Sequence, residues 1–368
     1  MVLEDLIRTE RIRFFGRTFW SPKYSAFFFN WTGSGFELEF YGDRLLAEFM
    51  VLSDFYPTEG NNLPWIAIFA DGKQISVIGL EEGRKQYTLY QGKKGLHHLR
   101  VVKRSEAVKG SVGLCGIEVQ GQLEKLSESK KKWNLEFVGD SITCGFGIET
   151  DERGNIFHTS LEDGLSSYAS ICANLLDAEY HSICISGIPL CQSYREDFCL
   201  KLPEFPDFKV PRRAMEECYP YTDYYFQKSN QDTDFPEKWD FKRFVPDAII
   251  VNLGTNDAFR VKASGFDTKE EEYFERRYEE FLKLLRRYNG TSPLILCTLG
   301  SMDYYLYDNI IRAVEHYKKS YDDDNIYYMK FGGIYAQEEG MGALDHPGLK
   351  THRRMGEQLA NVLKAYLM

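Results

Sequence analysis

The chain has 368 residues, is 43% hydrophobic, and sets 45 Lys plus Arg against 55 Asp plus Glu for a net charge of -10. That length suits about two domains with sizeable cores. The acidic balance disfavours nucleic acid and anionic membranes, so neither is expected as a partner, and no run of about 18 apolar residues is present to span a bilayer.

The first residues, Met1 to Leu6, show no basic segment followed by an apolar run, so they do not read as a secretory signal. Eight cysteines are scattered singly, without a Cys-x-x-Cys pair. That pattern predicts reduced thiols in a cytoplasmic enzyme, with no metal site and no cofactor. Composition sets no oligomeric state.

Residues 1–125 read as short strands at close spacing: Ala26–Trp31, Phe36–Phe40, Leu45–Val51, Trp65–Phe69, Gln86–Tyr90, His98–Val102 and Leu114–Val119. Asp71-Gly72 is a hairpin signal. Many short strands with Gly-rich turns predict a β-sandwich. Residues 126–132 are polar, end in three lysines and read as a solvated linker rather than a nucleic-acid patch.

From Trp133 the pattern alternates between strand and helix. Strands are predicted at Trp133–Val138, Tyr180–Ile185, Ala248–Leu253, Pro293–Thr298 and Ile326–Lys330. Between Glu270 and Tyr288 the apolar residues recur at helical spacing, and Asn289-Gly290 ends that helix. A last helix buries Met355, Leu359, Val362 and Leu363. The alternation predicts a parallel sheet in an α/β domain over 133–368. The irregular stretch Gln192–Asp240 is rich in Tyr and Pro, and insertions that long are usually functional.

The first strand of this domain runs into Gly139-Asp140-Ser141, with Gly145 and Gly147 beyond. Such a turn presents Ser141 at the carboxyl end of the sheet, where ligands bind in open α/β folds. A nucleophilic serine needs a base. Of seven histidines, His346 stands out, because a His-Pro-Gly turn places it in a loop at the start of the last helix. Ester hydrolysis also needs donors for an oxyanion. Gly187 and Asn256 each follow a strand directly, so a parallel sheet brings them to the edge that carries Ser141.

These blocks, Gly139-Asp140-Ser141, Gly187, Gly254-x-Asn256-Asp257 and His346, resemble the SGNH, or GDSL, hydrolase superfamily. Residues 10–120 resemble the jelly-roll domain that precedes the hydrolase domain in carbohydrate esterase family two, chiefly over Gly95–Ala107. Met215–Tyr219 and Trp239-Asp240-Phe241 also look like that family. The resemblance implies a serine esterase that removes O-acetyl groups from xylan- or mannan-derived oligosaccharides. Ser141 is then the nucleophile and His346 the base, and the Ser141 N–H, Gly187 N–H and Asn256 amide form the oxyanion hole. An acetylated oligosaccharide is the implied partner. A lipid or thioester hydrolase of the same superfamily, or a carbohydrate-binding protein with an inactive hydrolase domain, are the other readings.

The family often carries an acid two residues before the histidine, but here that residue is Leu344, and Asp345 is adjacent to His346. Neighbouring side chains on an extended chain point apart, so Asp345 is badly placed as the third triad member. A Ser-His dyad oriented by a main-chain carbonyl is expected instead. Within the insertion, Tyr219, Tyr221, Tyr224 and Tyr225 are candidates to contact sugar, at least one of them lining the cleft.

Overall fold

The computed structural model describes residues 3–53, 63–127, 131–150, 157–195, 213–229 and 237–367. Much of the Gln192–Asp240 insertion and the centre of the 126–132 segment lie outside the described residues. The chain divides into two compact units. One comprises Met1–Lys130 with His158–Glu162 and Thr222–Glu237, and the other comprises Lys131–Phe157, Asp163–Tyr221 and Lys238–Met368. Unlike a single cut at 126–132, this division assigns two later segments to the amino-terminal unit.

The amino-terminal unit is an antiparallel sheet wrapped around its own core. Its strands are β1 (Ile12–Phe15), β2 (Thr18–Ser21), β3 (Ala26–Phe29), β4 (Gly35–Leu52), β5 (Trp65–Ala70), β6 (Lys73–Gly79), β7 (Gly83–Lys103) and β8 (Ser111–Glu124). They lie in the order β2-β3-β8-β4-β7-β5-β6, with β1 paired to β4. The predicted pair Phe36–Phe40 and Leu45–Val51 is one strand. A register shift between Gly42 and Arg44 inserts a bulge, and the inward face changes from Phe36, Leu38 and Phe40 to Leu45, Ala47, Phe49 and Val51. An extra residue at a bulge exchanges even for odd positions, so both halves bury their apolar side. Gln86–Tyr90 and His98–Val102 likewise join into β7. At the predicted hairpin, Asp71 and Gly72 both have positive φ, 52° and 77°, and Ala70 pairs with Lys73 across the turn, as a two-residue connection requires.

The segment after Tyr221 closes onto this unit. Trp31 Nε1–H donates to the Thr222 carbonyl at 2.8 Å, and Asn30 Nδ2–H to Asp223 at 2.7 Å. Phe226 packs on Phe28 with ring centres 4.5 Å apart.

The second unit is α/β. Its strands are β9 (Trp133–Gly139), β10 (Ala178–Cys184), β11 (Ala248–Asn252), β12 (Leu294–Leu299) and β13 (Ile326–Lys330), all parallel in the order β10-β9-β11-β12-β13. On one face Leu135, Phe137, Ile250 and Leu296 meet Tyr168 and Cys172 of the helix Tyr168–Leu175 and Met355 and Leu359 of the helix Leu349–Leu367. The helix Thr268–Asn289 covers the other face with Phe274, Tyr278, Phe281, Leu282 and Leu285. Strands apolar on both faces are what a sheet covered on both sides demands.

Candidate active site

Strand β9 lies between β10 and β11, and Gly139 is in register with Cys184 on one side and Asn252 on the other. Ser141 therefore emerges two residues past a common row, Gly187 three past Cys184, and Asn256 four past Asn252. The parallel register alone gathers the serine, the glycine and the asparagine at one edge.

The turn after β9 is tight. A Cβ on Gly139 would stand 2.0 Å from Thr143 Oγ1, so the position requires glycine. Asp140 caps the four-residue helix Ser141–Cys144, its carboxylate accepting the Ile142 N–H at 3.0 Å. Asp140 is buried, and burial raises its pKa to about 7, with the Asp257 charge adding in the same direction. Asn256, in the first turn of the helix Thr255–Ala263, donates from Nδ2 to the Ile188 carbonyl at 3.0 Å and to Asp140 Oδ2 at 3.3 Å. Gly187 has φ 75°, which turns the chain immediately after β10.

His346 Nε2 lies 2.9 Å from Ser141 Oγ. Its other ring nitrogen, Nδ1, lies 3.1 Å from the Leu344 carbonyl. With the proton on Nδ1 and donated to that carbonyl, Nε2 has its lone pair free to accept the serine hydroxyl proton. The carbonyl reaches the ring because Leu344 (φ 51°) and Asp345 (φ 60°) are both left-handed. The Gly342 N–H donates to the His346 carbonyl at 2.8 Å, and the His346 N–H to the Ala343 carbonyl at 3.1 Å, closing a compact loop. The Ala343 N–H in turn donates to the Gly147 carbonyl at 3.0 Å. Phe146 packs against the imidazole at 4.5 Å between centroids and stacks on Phe157 at 3.8 Å. Desolvation lowers the His346 pKa to about 4, so the ring is neutral, and able to act as a base, well below neutral pH. Asp345 is exposed and raises that pKa only through space.

Two family models match the chain: "Carbohydrate esterase 2 N-terminal" over residues 14–128 and "GDSL-like Lipase/Acylhydrolase" over residues 135–359. The chain belongs to the GDSL-like lipase/acylhydrolase family and, with its amino-terminal unit, to carbohydrate esterase family two. Among curated proteins it is 29% identical over 343 residues to the cellulase/esterase CelE of Acetivibrio thermocellus, covering 91% of this chain and 37% of CelE. It is 23% identical over 353 residues to an acetylxylan esterase/glucomannan deacetylase of Cellvibrio japonicus, covering 93% of this chain and 85% of that protein. The structure of a family two carbohydrate esterase from Clostridium thermocellum in complex with cellohexaose superposes with a TM-score of 0.80 at 27% identity, over 97% of this chain and 99% of that one.

Two of the four tyrosines in this family two chain are not placed to meet a sugar. Tyr219 is fully buried, its hydroxyl donating to Glu136 and accepting from Asn289 Nδ2 at 2.8 Å. Tyr225 is only 8% exposed. The expectation for this pair is corrected: in the insertion these aromatics fill interior space before they line any surface. Tyr221 and Tyr224 are half-buried. Four of the remaining histidines have other partners. His352 Nδ1 accepts the Tyr168 N–H at 3.2 Å, and burial lowers its pKa to about 3. His97 lies against Asp71 and Tyr90, His181 stacks on Phe244, and His316 faces Glu279.

In the sequence Asp257 is marked only as part of the Gly254-x-Asn256-Asp257 block, without a role of its own. It is fully buried and accepts the Leu190 N–H at 2.8 Å and the Cys191 N–H at 3.3 Å. The signal available in the sequence was Asp257 three residues before Arg260, a pair that shares a helix face.

Proposed function

We propose that this chain is a serine esterase that removes O-acetyl groups from plant-type oligosaccharides derived from xylan or mannan. One observation carries the chemistry: Ser141 Oγ sits 2.9 Å from His346 Nε2 while Nδ1 faces a main-chain acceptor. The likeness to the esterase CelE supports ester hydrolysis, and that to the Cellvibrio acetylxylan esterase/glucomannan deacetylase supports the substrate class. The amino-terminal antiparallel sheet is read, by the same likeness, as a jelly roll. A cytoplasmic setting belongs to this reading too, supported by free thiols at Cys115, Cys172, Cys184, Cys191 and Cys297.

In this mechanism Ser141 Oγ attacks the acetyl carbonyl carbon as its proton passes to His346 Nε2. The Ser141 N–H, the Gly187 N–H and the Asn256 Nδ2 proton that otherwise makes the longer, 3.3 Å contact to Asp140 Oδ2 meet the negative oxygen of the tetrahedral intermediate. On collapse, the C–O bond to the sugar breaks and His346 returns the proton to the departing sugar oxygen. Water, deprotonated by His346, then attacks the acetyl-serine, releasing acetate and restoring Ser141.

The test is acetate release from acetylated xylo- and manno-oligosaccharides, set against hydrolysis of a long-chain acyl ester, with Ser141→Ala as control. Deacetylation of the oligosaccharides by the unaltered chain, absent in a folded Ser141→Ala variant, is the expected result. Preference for the long-chain ester makes it a lipid hydrolase. Oligosaccharide binding without turnover makes it a binding protein.

A further inference from the structure

Asp257 and Arg260 are buried charges with no assigned part in the ester chemistry. The carboxylate of Asp257 accepts the Leu190 N–H at 2.8 Å through Oδ2 and the Cys191 N–H at 3.3 Å through Oδ1. Arg260, one helical turn on, stands 3.7 Å from Asp257 Oδ1 and donates to the Cys191 carbonyl at 2.7 Å. Its Nε lies 3.4 Å from Glu270, which in turn accepts the Ser193 hydroxyl. Carboxylates and a guanidinium are taken out of water at a cost comparable to what close pairing returns. Such a cluster adds little net stability but is rigid. What it holds is the main chain at Leu190–Cys191, together with the Ser193 side chain.

That stretch adjoins the oxyanion donors. Ile188, two residues before Leu190, offers the carbonyl that takes a proton of the Asn256 amide at 3.0 Å. Gly187 precedes it. Asn256 and Asp257 are neighbours in the first turn of one helix. The loop after β10 is therefore tied to that helix twice, at Ile188 through Asn256 and at Leu190–Cys191 through Asp257.

Resting on the esterase reading above, we propose that Asp257 and Arg260 are positioning residues for the oxyanion hole. They hold Leu190 and Cys191 so that the Ile188 carbonyl orients the Asn256 amide. Neither group touches substrate. Their effect falls on the transition state, because the oxyanion forms only there.

The experiment uses the full chain, with active sites counted by a fluorophosphonate and turnover of 4-nitrophenyl acetate measured per titrated site. Ser141→Ala, which has no serine to titrate and is normalised to folded protein, tests the esterase reading by itself: its retention of turnover would remove that reading and this proposal with it. Asp257→Asn is expected to lower kcat by roughly 10- to 100-fold with KM within about threefold, less than the loss of a donor outright. In the double variant with Asn256→Ala, the loss should be within about twofold of Asn256→Ala alone, since both act through one amide. A merely structural role predicts that the two losses multiply. Multiplying losses, or an Asp257→Asn kcat within about twofold of the unaltered chain, overturns the proposal while leaving the esterase reading intact. Should Asp257→Asn fail to fold, Arg260→Lys replaces it in the same cycle, with the same two outcomes.

Discussion

The Gly147 carbonyl accepts the Ala343 N–H at 3.0 Å, joining the turn that follows the serine to the loop that carries the histidine. Gly147 has φ 68°, and a Cβ there would stand 2.7 Å from Ala343 Cβ and 2.8 Å from its nitrogen. Gly147→Ala should therefore both strain the backbone, by at least about 1 kcal/mol, and push the histidine loop away from Ser141. A lowered Tm together with reduced kcat per titrated site is expected. A lowered Tm with full kcat would show that the two segments are not mechanically joined.

Asp345→Asn separates a dyad from a triad. In the protease triad, replacing the aspartate that orients the base costs about ten-thousand-fold in turnover. Here Leu344 supplies the acceptor at Nδ1, 3.1 Å away. The expected loss is about tenfold or less, well short of that triad cost. Steady-state kinetics on the folded variant decide it: a loss near the larger figure would make Asp345 the acid after all.

The acidity of His346 sets a pH dependence. The proton must be absent for the ring to act as base, and the pKa is lowered to about 4. The acid limb of kcat/KM should fall near pH 4 rather than near the 6.5 or so of a free imidazole. The same shift is linked to stability. The unfolded chain takes up this proton first, so the contribution is complete above about 6.5 and is lost as pH falls toward 4. A kcat/KM profile over pH 3.5 to 8 checks the first statement, and an acid limb near 6.5 would contradict it.

Tyr219→Phe tests the corrected role of the insertion. The substitution removes the hydroxyl that donates to buried Glu136 and accepts from Asn289. Depriving a buried carboxylate of a donor costs about 1–3 kcal/mol. Denaturant unfolding should show that loss, while KM for acetylated oligosaccharide stays unchanged. A raised KM at unchanged stability would return Tyr219 to the substrate.

Strands β11 and β12 could be read from the sequence because both are buried along their whole length and so read as near-continuous apolar runs, whereas the edge strand β13 leaves Tyr328 and Lys330 exposed. The Asp71-Gly72 turn was legible because two adjacent positive φ values select those residue types. The continuity of β4 was not. Tyr41-Gly42-Asp43-Arg44 has the composition of a turn, and only the strands alongside make it a bulge. In the site, the serine, glycine, asparagine and histidine each follow a recognisable strand end or turn. The left-handed pair Leu344 and Asp345 carries no such mark, since leucine rarely takes positive φ and an aspartate with no glycine beside it does not announce a turn. The partner of Tyr219 lies 83 residues away at Glu136, a pairing that local patterns do not encode.

The acceptor at Nδ1 is a peptide oxygen, and this bears on how the enzyme can change over time. A side-chain acid can be deleted by one base change in its codon. The Leu344 oxygen is present whatever amino acid occupies position 344, provided the loop keeps its shape. Natural variation at 344 and 345 is thus released from the ring's tautomer and answers to the loop's two positive φ angles instead. Asn, Asp and Gly are the replacements such angles admit most readily. The orienting group is exposed to mutation only through geometry, and the two side chains beside the histidine are open to selection for another purpose.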